Sequence, residues 1–83
     1  MVIRKRRTVS EKALSANLGV RILALCEERG WTQRALATEA ELDPGYISRI
    51  IHGDVEPCLG TLATLARAFG KKNLSEFFEG VPL

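Results

Sequence analysis

The sequence predicts an all-α domain, and three observations carry that reading. Strand signals are scarce, with few β-branched residues in succession and no alternating run beside an Asn-Gly or Asp-Gly turn. Apolar residues instead recur at three- and four-residue spacing in successive stretches. Most of these stretches open on a capping residue, and most close on a glycine.

Ser10 is the N-cap expected for the first helix, and Leu14, Leu18, Ile22 and Leu25 form its apolar stripe up to Gly30. Gly19 lies inside this run and lowers its helix propensity, which moves the expected regular start toward Ser15 or Leu18. Thr32 caps a second helix over Gln33 to about Glu39. Trp31 before the cap and Leu36 within it have the spacing of a hydrophobic staple. Leu36, Ala37 and Ala40 face inward, and the alanines let another helix approach closely. Glu41 and Leu42 make a turn, and Asp43 then caps a third helix of about nine residues. Pro44 stands at its first position, where a missing N–H costs nothing, and Gly53 marks its stop. Pro57 signals the next start, and Leu59, Leu62, Leu65, Ala66 and Phe69 repeat at helical spacing until Gly70. Asn73, with Glu76 three residues on, is a capping-box variant opening a short fifth helix with Leu74, Phe77 and Phe78.

Eighty-three residues, 46% hydrophobic and 27% charged with a mean hydropathy near zero, suit one small soluble core and exclude disordered and fibrous classes. No apolar run reaches membrane-spanning length, and the basic start Met1-Val2-Ile3-Arg4-Lys5-Arg6-Arg7 has no apolar stretch behind it. The expectation is a cytoplasmic protein, with Cys26 and Cys58 as small reduced side chains. Residues 1–9 read as a basic N-terminal arm and residues 10–83 as a single domain. The net charge of +2 hides an asymmetry: without the four cations of the arm, the remaining residues sum to −2.

The second and third helices, joined by a short turn, match a helix-turn-helix unit. The ordered set Thr32-Gln33-Arg34-Ala35-Leu36-Ala37, Ala40, Leu42, Ile47-Ser48-Arg49-Ile50, Gly53, Pro57 and Thr61-Leu62 resembles the Cro and lambdoid phage repressor family, also called the Xre family. That resemblance spans residues 18 to 78. It implies a compact five-helix bundle of the lambda-repressor-like type that binds double-stranded DNA. It also implies a homodimer on a two-fold operator, with the third helix in the major groove. The Gln at the start of the second helix touches a phosphate in that family, and here it is Gln33.

Helical geometry gives the third helix the same use. At 100° per residue Ile47, Ile50 and Ile51 bunch on one side, while Gly45, Arg49 and His52 fall opposite with Tyr46 and Ser48 between. Arg49 is the candidate base reader, since an arginine donates two parallel bonds to guanine. Gly45 leaves room for close approach, and Pro44 stands beside it on the leading turn. Asp43 has two readings, a cap or an acceptor from a cytosine amino group. Tyr46 and His52 are placed to bind backbone oxygens. Arg4, Lys5, Arg6 and Arg7 are either a groove-contacting arm or a solubilising tail.

Five positions, in three places, depart from the family pattern. A buried Arg–Glu pair gives way to Cys26 and Ile51, both apolar, which leaves no unpaired buried charge. The turn glycine is Glu41, which faces a left-handed backbone cost. The loop after Gly53 carries Asp54 and Glu56 where basic or polar residues are common.

No enzyme is indicated: Ser48, His52 and Asp54 are close in sequence but imply neither a cleft nor an oxyanion donor. Cys26, His52 and Cys58 lack paired metal-ligand spacing, and no cofactor is expected. Phe77, Phe78, Val81 and Leu83 form an apolar C-terminal cluster expected at the homodimer interface. The acidic loop keeps a second class of function open, a protein-interaction module such as an antitoxin binding a toxin.

Overall fold

The computed structural model describes residues 9–83, and among these it contains five helices and no strand. They are α1 (Glu11–Arg29), α2 (Gln33–Ala40), α3 (Pro44–Ile51), α4 (Leu59–Ala68) and α5 (Leu74–Phe77). Four of the five starts are capped by the side chains that the sequence marks. Ser10 accepts from the N–H of Ala13, Thr32 from Ala35, Asp43 from Tyr46 and Asn73 from Glu76, each at 2.9–3.1 Å. Cys58 precedes α4 without a side-chain capping bond. Gly30 closes α1 in the left-handed region, where its N–H reaches back to the carbonyls of the last turn.

Two details of the helix starts differ from expectation. α1 is regular from Glu11 onward, because the cost of Gly19 in mid-helix is offset by what the glycine permits: it is buried where α3 ends against α1. The capping box of α5 is displaced by one residue, since the Glu76 carboxylate accepts from the N–H of Lys72 at 3.0 Å rather than from that of Asn73.

α3 packs between α1 and α2, α4 lies on α2, and α5 docks on α4. The core they enclose includes Leu18, Ile22 and Leu25 of α1, Leu36 of α2, Ile47 and Ile50 of α3, and Leu65 of α4. An aromatic column joins its far side: Trp31 stacks on Phe69 at 5.6 Å and Phe69 on Phe77 at 6.3 Å. Trp31 is thus a half-buried staple at the entry to α2, with the Arg29 guanidinium 5.2 Å above its ring. The Arg21 guanidinium ties α1 to the end of α5, donating to the carbonyl oxygens of Phe77 at 2.8 Å and Glu76 at 2.9 Å.

Phe77 is 0% exposed, which corrects its assignment to an interface: the aromatic column consumes it inside the core. No helix among the described residues is long and apolar enough to cross a membrane.

Candidate nucleic-acid interface

α2 and α3 meet through a two-residue turn that one unusual backbone angle makes possible. Glu41 sits in the left-handed region at φ 57° and ψ 44°, and its N–H and that of Leu42 return to carbonyls at the end of α2. Asp43 then caps α3, and Pro44 takes the first helical position. The short turn and the cap set the angle at which α3 leaves α2.

α3 is two-faced, as its sequence implies. Ile47, Ile50 and Ile51 are buried, while Pro44, Gly45, Arg49 and His52 are exposed and Tyr46 and Ser48 are half-buried. Eight residues make only about two turns, too few for a helix to hold its shape in water alone. Packing of the three isoleucines is what presents the outer face.

On that face two charged groups close in on the place where Gly45 has no Cβ. A Cβ there would stand 2.9 Å from Asp43 Oδ2 and 3.6 Å from Arg49 Nη1. The Arg49 guanidinium lies 6.0 Å from the centre of the Tyr46 ring. Tyr46 reaches α4, its hydroxyl donating to Thr61 Oγ1 at 3.4 Å. His52 Nδ1 is 2.7 Å from the carbonyl oxygen of Ser48. A carbonyl only accepts, so Nδ1 is the donor in this contact. Gln33, the first residue of α2, is half-buried at a helix start, where backbone N–H groups favour an anion.

The start of α4 adds an exposed thiol. Hydrogen bonding by the Thr61 hydroxyl, then by its backbone N–H, holds the Cys58 thiol below its ordinary range. Burial pushes the Cys26 thiol upward, in keeping with a core position. Cys26 and Ile51 are both buried, so the place of an ion pair is apolar on both sides.

Away from α3, Phe78, Val81 and Leu83 line an apolar groove of about 570 Å³ with Leu14, Leu62 and Pro57. Leu83 itself is 79% exposed. Glu11, Asp54 and Glu56 share the wall of a neighbouring shallow cleft. Arg4, Lys5, Arg6 and Arg7 lie outside the described residues. Among the described residues no group of three His, Cys, Asp or Glu side chains is arranged to hold a metal ion.

Sequence reasoning placed the faces of α3 and its caps, and it missed three contacts. These are the Tyr46 tether to Thr61, the approach of Arg49 to the Tyr46 ring, and the Arg21 clasp on α5. Only Tyr46 and Arg49, three residues apart on one helix, left a local signal.

The family model described as Helix-turn-helix, HTH_3, matches residues 22–77. Among solved structures, the chain is similar to an HTH_3 family transcriptional regulator from Vibrio cholerae, with a TM-score of 0.78 at 20% identity. That alignment covers 88% of this chain and 40% of that one, so the chain spans well under half of the longer protein. It is also similar to the clp gene regulator ClgR from Corynebacterium glutamicum, with a TM-score of 0.70 at 28% identity over 78% of this chain and 68% of that one. A hypothetical transcription factor, NHTF, from Neisseria matches with a TM-score of 0.73 at 22% identity, over 93% and 87% of the two chains. No curated protein matches the chain.

Proposed function

The chain belongs to the helix-turn-helix family HTH_3, and from that premise we propose that it is a sequence-specific transcription regulator, acting as a repressor, whose α3 enters the major groove of a two-fold operator. Membership supports the reading as a DNA-binding regulator of the Xre and lambda-repressor-like class. The observation that carries the finer reading is the outer face of α3, where Arg49 and His52 are exposed beside a bare Gly45 on a helix whose other side is locked in the core. Arg49 reads guanine through N7 and O6. Gln33 and His52 hold phosphates and set register without reading sequence. Residues 4–7 add phosphate contacts, and removing residues 1–7 lowers both affinity and its salt dependence.

Two copies bind together, because one short helix reads only a few base pairs. Phe78, Val81 and Leu83 supply the contact, supported by the exposure of Leu83 at the apolar groove. Selection from a random duplex library tests the base-reading part. Arg49→Ala loses about 1–3 kcal/mol on the cognate site and relaxes one base pair in each half-site, whereas Gln33→Ala weakens all sequences alike. An unaltered preference in Arg49→Ala overturns base reading by that residue. Sedimentation at micromolar concentration tests the dimer, and a monomer that binds a single half-site overturns it.

The acidic loop residues Asp54 and Glu56, which share a shallow cleft with Glu11 and Lys12, favour a second reading, a protein-interaction module such as an antitoxin seated on its toxin. Salt-dependent binding to random duplex separates the two, since the second reading requires none.

A further inference from the structure

We propose that Tyr46 is a positioning residue for Arg49, holding its guanidinium over the leading turn of α3 before any DNA arrives. The inference rests on the reading of α3 as the base-reading helix and adds what aims its arginine.

Tyr46 is fixed from three directions. Its backbone N–H is bound by the Asp43 carboxylate at 3.0 Å, its hydroxyl donates to Thr61 on α4 at 3.4 Å, and its ring packs partly buried against the core. Arg49 follows one turn later on the same side of the helix, and its guanidinium carbon lies 6.0 Å from the ring centre. The bare backbone of Gly45 completes the arrangement. A Cβ there would come 3.6 Å from Arg49 Nη1, so the guanidinium lies over the place where most residues would carry a side chain. The carboxylate that caps the helix borders the same space.

The physical advantage lies in entropy. An exposed arginine samples many rotamers, and binding must freeze them. A ring anchored to a neighbouring helix offers one face on which the guanidinium rests, so fewer rotamers are lost when guanine is engaged. The hydroxyl, directed at Thr61, serves this anchor in place of a phosphate contact.

The test compares wild type, Tyr46→Leu, Tyr46→Phe and Arg49→Ala on the selected operator, on the operator changed at the Arg49-dependent base pair, and on random duplex. Tyr46→Leu should lower discrimination at that base pair about two- to fivefold, a larger loss than on random duplex. Tyr46→Phe keeps the ring and should lose less. Wild-type discrimination in Tyr46→Leu overturns the proposal, and so does an equal loss on every duplex in Tyr46→Phe, which would mark a phosphate donor. Arg49→Ala with an unaltered preference instead overturns base reading by Arg49 itself. The free wild-type protein gives a measurement that needs no variant: NMR should find the Arg49 side-chain protons shifted upfield by the tyrosine ring. Random-coil positions for those protons overturn the proposal.

Discussion

The backbone of Gly19 in α1 faces the carbonyl of Ile51 at the end of α3 so closely that a Cβ on residue 19 would overlap the carbonyl oxygen and stand 2.8 Å from its carbon. Gly53, just beyond, turns with φ 77° against the backbone of Ala16, where a Cβ would stand 3.2 Å away. The last turn of α3 is therefore seated directly on the main chain of α1. Gly19→Ala should cost about 1–3 kcal/mol in a urea melt, as overpacking does, although alanine is the better helix former. A stable Gly19→Ala protein would mean that the two helices can part without loss.

Arg21→Met keeps much of the apolar stem and removes both bonds to the carbonyls of Glu76 and Phe77. Stability should fall by about 1–3 kcal/mol, because two carbonyls at the end of α5 lose charged donors. Amide exchange should rise first in residues 74–79. Uniform acceleration across all five helices would show that α5 does not open as a separate unit.

Glu41→Gly should stabilise the protein by about 0.5–1 kcal/mol, since glycine adopts φ 57° without the Cβ clash but loses more entropy on folding. Thermal and urea melts measure the gain. A lower stability would show that the Glu41 side chain contributes more than its backbone costs.

The two thiols should separate in an alkylation series against pH. Cys58 is held below its ordinary range by Thr61, so its thiolate fraction rises at lower pH and its rate levels off earlier than that of a free thiol. Cys26 is pushed upward by burial and should react only when the fold opens. Thr61→Ala should move the Cys58 profile to higher pH; an unmoved profile would remove Thr61 as the cause.

How far the sequence reveals this molecule depends on the range of each interaction. Ser10, Thr32, Asp43 and Asn73 act within three residues of themselves, and each cap is legible as a residue type before an apolar run. The faces of α3 follow from periodicity alone. Gly19 reads locally as a weakness, because its use depends on Ile51, 32 positions away. Phe77 reads as surplus apolar surface, because a four-residue helix has too little period to assign a face and its partner Phe69 belongs to another helix. Arg21 gives no sign of its target 55 and 56 residues on. In the candidate site the outward residues are legible and the tether of Tyr46 to Thr61 is not, since it spans two helices and a loop.

The aromatic column has an optical consequence. The chain holds one tryptophan and one tyrosine, and they stand on different helical units. Trp31 packs against both the Arg29 guanidinium and the Phe69 ring, so its emission follows the solvent exposure of the junction between α1, α2 and α4. Tyr46 stands on α3 with its hydroxyl toward α4, so its ultraviolet absorbance follows the outward-facing helix. Two chromophores supplied by the native sequence thus give separate channels in one cuvette, one for the integrity of the scaffold and one for the helix it displays, without any attached dye.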